Sequence, residues 1–148
     1  MFRLNPLPSP TLLLIALILL FACTHAFADD FVQHKLVIQI NSDDEKTQNS
    51  AMDNVVNLQK EVGMDNIEIE FVVYGAGLSM LIGETPTSQR VSSLALQNVT
   101  FSACGNTMHT IEARTGKPVE LVEGVGVVKA GVLRIMELQE QGYAYLRP

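Results

Sequence analysis

The order of apolar and polar positions divides most of the chain into alternating strand and helix. Residues 36–40 (LVIQI) are a short, nearly continuous apolar run, the pattern of a parallel strand covered on both faces. Asn41, Ser42, Asp43 and Asp44 interrupt it and supply side-chain oxygens suited to a helix N-cap. Over 46–62 the apolar residues Ala51, Val55, Leu58 and Val62 recur at intervals of four, three and four, one face of a helix that Gly63 ends. Residues 67–74 read as a second strand, ending at Gly75-Ala76-Gly77, and 78–82 have room for one or two helical turns. Pro86 opens a helical stretch over 87–97 carrying Val91, Leu94 and Ala95. A third strand over 99–103 is followed by a helix over 105–114 that Gly116 and Pro118 close. The segment 118–123 reads either as extended chain or as a loose turn. Residues 124–128 (GVGVV) are a fourth strand weakened by glycine. A helix over 131–141 places Val132, Ile135 and Met136 on one face, Gly142 caps it, and 143–146 form a short last strand.

This alternation with short links predicts an α/β three-layer sandwich. Its sheet is five-stranded and mostly parallel, joined by right-handed crossovers in a flavodoxin- or Rossmann-like topology. No linker, low-complexity tract or internal repeat breaks 34–148, which reads as one domain.

The first residues follow a different pattern. Arg3 precedes an eleven-residue apolar run at 12–22, and Ala26-Phe27-Ala28 then gives a small-x-small site before Asp29-Asp30. The run is short for a bilayer span, which needs about 20 residues. Residues 1–28 are therefore expected to be a cleaved signal peptide and 29–33 a short tail, giving a periplasmic protein with no stable membrane span after processing. A rival reading is a lipoprotein anchored at Cys23, since Leu20-Phe21-Ala22-Cys23 resembles a lipobox, although Phe21 stands where a small or β-branched residue is usual. An uncleaved anchor is the third.

Composition narrows the partners. Sixteen acidic side chains against ten basic ones give the 148 residues a formal charge of −6. That balance argues against a nucleic-acid partner, whose phosphates need clustered Lys and Arg, and against a polybasic membrane surface. Two cysteines make neither a disulfide framework nor a Cys-rich zinc site. Loss of the signal peptide removes Cys23 and leaves Cys104 as the only thiol.

Ligands of open parallel sheets bind beyond the carboxyl ends of the strands. The segments 41–44, 74–77, 104–107 and 129–131 reach that edge. Among them Cys104 carries the sharpest chemistry, because it follows a strand and precedes a helix whose N–H groups and dipole favour a thiolate. Gly105 allows close backbone approach there. The competing reading is a small buried hydrophobe, which free cysteine often is. His109 is turned about 140° from Cys104 on a helix of 3.6 residues per turn, so the two do not form a pair. His34 starts the first strand, at the opposite end of the sheet. Gly75 and Gly77 invite a nucleotide reading, but Met80 stands where the third glycine of the fingerprint belongs, leaving a tight turn or a backbone nest for a small anion. Asp43, Asp44 and Glu45 read as helix-capping charge rather than metal ligands. No cofactor and no metal is expected.

Four stretches share a further likeness: 35–40 with Asn41-Ser42, FVVYGAGL at 71–78, VTFSACGNTM at 99–108 and GVLRIMELQEQGYAYLRP at 131–148. With them the domain resembles the DsrE/DsrF-like family, relatives of the TusD-type subunits of sulfur relay. The resemblance implies a three-layer α/β fold and a single cysteine near the end of the third strand, matched here by Cys104. In sulfur-handling members that cysteine carries a persulfide and hands the sulfur to a partner protein. It also implies a homotrimer or homohexamer and a sulfur donor or acceptor protein. The expected site is then Cys104 as the sulfur carrier, with Gly75, Gly77, Gly105 and Asn106 binding the substrate. The alternative is a non-catalytic ligand-binding or assembly module with a structural cysteine. Sulfur-relay members act in the cytoplasm, so an export signal sets this chain apart.

Overall fold

The computed structural model describes residues 33–148. The signal segment at 1–28, its cleavage site and Cys23 lie outside the described residues. Five strands form one sheet: β1 (His34–Ile40), β2 (Ile67–Val73), β3 (Val99–Cys104), β4 (Val125–Val128) and β5 (Ala144–Leu146). Their order is β4-β3-β2-β1-β5, and every pairing is parallel. Helices α1 (Glu45–Val62), α2 (Pro86–Ala95), α3 (Gly105–Thr115) and α4 (Gly131–Glu140) connect them, with a 3-10 segment at Gly75–Leu81 between β2 and α2.

Local chemistry explains the helix starts. The Asp44 carboxylate accepts from the Thr47 N–H at 2.9 Å and the Thr47 hydroxyl at 2.6 Å, which caps α1 and holds that carboxyl below its ordinary range. Thr85 and Ser88 form a reciprocal capping box around Pro86 at the start of α2. That helix stops two residues short of the expected end because Asn98 takes a left-handed turn (φ 61°) into β3. The ambiguous 118–123 stretch contributes one antiparallel bridge, between Leu121 and Ile82.

The two sheet faces are covered unequally. Three successive connections carry the chain from β1 out to β4, and same-handed crossovers in one direction fall on one face. There α1, the 3-10 segment and α2 bury Met52, Val55, Leu78, Leu81, Val91 and Leu94 against Ile38, Ile69, Phe71 and Phe101. Phe71 and Phe101 are paired in register and stacked, with ring centroids 4.8 Å apart. Each is fully buried, which contributes roughly 1.5–3 kcal/mol per side chain.

The return from β4 to β5 runs the other way, so among the described residues α4 is the helix that covers the second face, packing Ile135 and Leu138 on Val37 and Val72. This corrects the expected apolar stripe. Gly131, Ile135 and Leu138 face the sheet, whereas Val132 and Met136 are 58% and 53% exposed. The helix carries apolar residues on two sides, and periodicity alone did not separate them. Among the described residues no helix is long and apolar enough to cross a membrane.

One consequence of this winding positions the site. The chain leaves β3 toward the three-helix face and leaves the neighbouring β4 toward the α4 face. The carboxyl ends of β3 and β4 therefore form the topological switch point, where a crevice opens. Cys104 is the last residue of β3.

Candidate functional site

Alternation along β3 turns Phe101 and Ala103 into the larger core and Ser102 and Cys104 toward α4. Cys104 also serves as the backbone N-cap of α3, so its sulfur sits where two helices begin. The N–H of Gly131, the first residue of α4, donates to Sγ at 3.2 Å and is the well-aligned hydrogen bond there. The hydroxyl and N–H of Thr107 and the N–H of Asn106 add their dipoles from the first turn of α3. The Thr107 hydroxyl oxygen in turn accepts from the Gly75 N–H at 3.0 Å, which leaves its own proton free for the sulfur. The Asn106 N–H also meets the Lys129 carbonyl at 3.3 Å. Loops after β2, β3 and β4 thus converge on one sulfur.

Burial is the largest single influence on this thiol and pushes it up. The Gly131 N–H, then the Thr107 hydroxyl and N–H and the Asn106 N–H, together outweigh it, so Cys104 ionises below the ordinary range of a cysteine. Cys104 is buried, with 6% of the residue exposed. Burial also pushes the neighbouring Tyr74 phenol up, with Tyr145 adding to the effect.

Two glycines make the convergence fit. A Cβ on Gly131 would lie 3.1 Å from the Tyr74 ring and 3.4 Å from Cys104 Cβ. One on Gly105 would lie 3.2 Å from the Val128 carbonyl. Larger residues would force α3 and α4 away from the strand ends.

The expected site residues are distributed unevenly. Gly105 provides close approach, while the Asn106 N–H faces both sulfur and carbonyl. Gly75 (φ 57°) is tied to Cys104 through Thr107. Gly77 is buried, with a Cβ there only 2.6 Å from the Ile40 carbonyl, and its N–H bonds to the Tyr74 carbonyl at 3.2 Å. Both glycine N–H groups are occupied within the chain. His109 projects into solvent beside Glu112, and His34 lies at the far end of β1.

Thr107 and Gly131 were not singled out in the sequence. Thr107 had a local signal, since it is the third helical residue after the cap and such residues face the cap side chain. Gly131 had its place in the segment 129–131 at the carboxyl edge of the sheet, as a glycine opening a helix. A groove of about 770 Å³ adjoins the site, lined by Gly75, Ser79, Ile82, Asn106, Thr107 and Arg114 among others. Cys104 is not in its wall, and Thr107 belongs to both.

Among the described residues one thiol, lowered in pKa, stands at the switch point of a parallel sheet in an α/β protein. The chain belongs to the DsrE/DsrF-like family, whose model matches residues 14–148. Its structure is similar to that of MTH1491 from Methanobacterium thermoautotrophicum, a protein of unknown function. The two are 36% identical over 78% of this chain and 99% of that one, with a TM-score of 0.69. The ychN protein of E. coli shares the fold at 14% identity and a TM-score of 0.62, over 78% of this chain and 99% of its own. No curated protein matches the sequence.

Proposed function

We propose that this protein is a sulfur carrier that holds a persulfide on Cys104 and passes the sulfur to a partner protein. The observation that carries the reading is the Cys104 sulfur under the Gly131 N–H and the first turn of α3, lowered in pKa by donors alone. In the loading step the Cys104 thiolate attacks a sulfane sulfur of a polysulfide or persulfide donor. A new S–S bond forms, the donor's S–S bond breaks, and the donor leaves as a thiolate. In the delivery step an acceptor thiolate attacks the terminal sulfur, and Cys104 leaves as the thiolate that the same donors stabilise. No oxidant is consumed in either step, and no second cysteine is needed in the carrier.

Export to the periplasm, read from residues 1–28, is part of the same proposal. So is self-association, for which the exposed Val132, Leu133 and Met136 on the outer side of α4 supply an apolar surface. A second reading, a small-ligand or assembly module with a packed cysteine, is favoured by one observation. The groove of about 770 Å³ borders the thiol without including it.

Intact mass of the protein purified without reductant, before and after polysulfide, separates the readings. A gain of about 32 Da per sulfur, reversed by reductant and absent in Cys104→Ser, supports the carrier. A reduced Cys104 that gains no mass refutes it. The starting mass also reports processing at Ala28 or lipidation at Cys23.

A further inference from the structure

The polar cluster beneath Cys104 is larger than packing requires. Ser102, two residues earlier on the same face of β3, is buried and donates its hydroxyl to Glu70 Oε1 at 2.7 Å. Glu70, in β2, is 4% exposed. Arg134 of α4 holds it from the other side, with Nε 2.9 Å from Oε1 and Nη2 2.7 Å from Oε2. Arg134 stands three residues after Gly131, one turn further along α4. The helix is therefore fixed to the sheet at two heights, by its first N–H on the sulfur and by a two-pronged ion pair one turn below.

A buried ion pair is a poor source of stability, since apolar residues of similar shape often serve as well or better. A planar guanidinium on a carboxylate instead supplies direction. α4 needs direction, because Ile135 and Leu138 are its only buried large apolar side chains and apolar contact alone tolerates sliding. We propose that Glu70, Ser102 and Arg134 are positioning residues that set the seating of α4, so that its Gly131 N–H meets the Cys104 sulfur. None of them donates to the sulfur, so they act through the helix. The other groups facing the cluster are Glu137, 3.7 Å from Arg134, with Glu68 and Tyr143 near the start of β2 and Tyr74 beside Gly131. The inference rests on the reading of Cys104 as a reactive thiolate.

The test measures the pH midpoint of Cys104 alkylation by iodoacetamide, read by intact mass, in the full chain. Wild type is compared with Glu70→Gln, Ser102→Ala and Arg134→Lys, each with its thermal unfolding recorded. Seating through α4 predicts a higher midpoint for Glu70→Gln. Losing one charge-assisted hydrogen bond corresponds to roughly tenfold less thiolate below both midpoints. Arg134→Lys, which keeps the charge but loses the fork, should move the midpoint the same way by less. A purely through-space effect predicts the opposite sign for Glu70→Gln, because removing a negative charge favours a nearby thiolate. It predicts no change for Ser102→Ala, which alters no charge, whereas seating predicts a rise. Ser102→Ala keeps the test decisive if Glu70→Gln does not fold. A lowered wild-type midpoint that does not rise in natively melting variants overturns the positioning role and leaves the carrier reading standing. A wild-type midpoint at the ordinary cysteine value overturns both.

Discussion

Thr107→Val isolates the side-chain contribution to the anion. Valine keeps the shape and removes only the hydroxyl, which takes the Gly75 N–H at 3.0 Å and ranks next after the Gly131 N–H among the donors that lower Cys104. The Gly75 bond is exposed, so water replaces it and stability should change by no more than about 0.5 kcal/mol. A full hydrogen bond to a charged group contributes about 1.5–3 kcal/mol, and this half-buried, imperfectly aligned one about 1 kcal/mol. That is a factor of about five in the thiol's ionisation constant. The reaction rate falls less, because a more basic thiolate is intrinsically more nucleophilic, with a Brønsted coefficient of about 0.4–0.5. Reaction with a small aromatic disulfide should then be about 2.5-fold slower than wild type below both midpoints and about twofold faster above them. The two rate–pH curves cross, and Thr107→Ser should restore the wild-type curve. Curves that superimpose, or a serine variant that behaves like valine, would refute the hydroxyl's role.

Other residues give independent checks. Gly131→Ala introduces a Cβ 3.1 Å from Tyr74, which should cost about 1–3 kcal/mol of stability by overpacking and slow Cys104 alkylation at neutral pH, read by melting and mass. Because the folded thiol lies below its unfolded value, it stabilises the protein above the unfolded pKa and that gain is lost as pH falls through the folded one. The stability of wild type over Cys104→Ser should therefore be greater above the ordinary cysteine range than well below it, read by denaturant titrations at the two extremes. Tyr143 donates to Glu68 at 2.7 Å and, through burial first and that bond second, is pushed up to about 12. Its stabilising contribution is full below the unfolded value and lost as pH rises toward 12, so the stability lead of wild type over Tyr143→Phe should shrink above pH about 10. Phe101→Ala should cost about 3–5 kcal/mol, and a cycle with Phe71→Ala should show about 0.5–1.5 kcal/mol of coupling from the stack.

The sequence made strands and most helix limits legible because those rest on local pattern. The run at 36–40, the Asp44 cap and the Pro86 start need only near neighbours. Cys104 was legible for the same reason, being a thiol at a strand-to-helix junction. What escaped was set by contacts distant in the chain. Gly131 meets Cys104 from 27 residues away, and Arg134 meets Glu70 across 64. The face of α4 was misassigned because Val132 and Met136 fit a helical stripe as well as Ile135 and Leu138 do. Only the reversal of winding after β4, which sends α4 to the face opposite the other helices, decides which stripe is buried. The Gly75-Ala76-Gly77 turn suggested a backbone nest, and the donors of its two glycines are taken up by Thr107 and Tyr74.

The same reversal accounts for the electrostatics of the sulfur. Neighbouring strands whose helices lie on one face present one helix start each to that face. At β3 and β4 the helices lie on opposite faces, so two N-termini approach the same strand end from above and below. Cys104 caps α3, and Gly131 opens α4 against its sulfur. Each N-terminus carries the equivalent of roughly half a positive charge. The site thus stabilises an anion with backbone dipoles and one hydroxyl, and no lysine or arginine figures among the causes that lower this thiol. Salt screens helix dipoles at an exposed surface, but here they act at hydrogen-bond range on a buried sulfur, where screening is much weaker than for an exposed, flexible cation. Between about 0.02 and 0.5 M salt the alkylation midpoint of Cys104 should therefore stay nearly constant. A midpoint that climbed steeply with salt would mean that a mobile cation, not the paired helix starts, holds the thiolate.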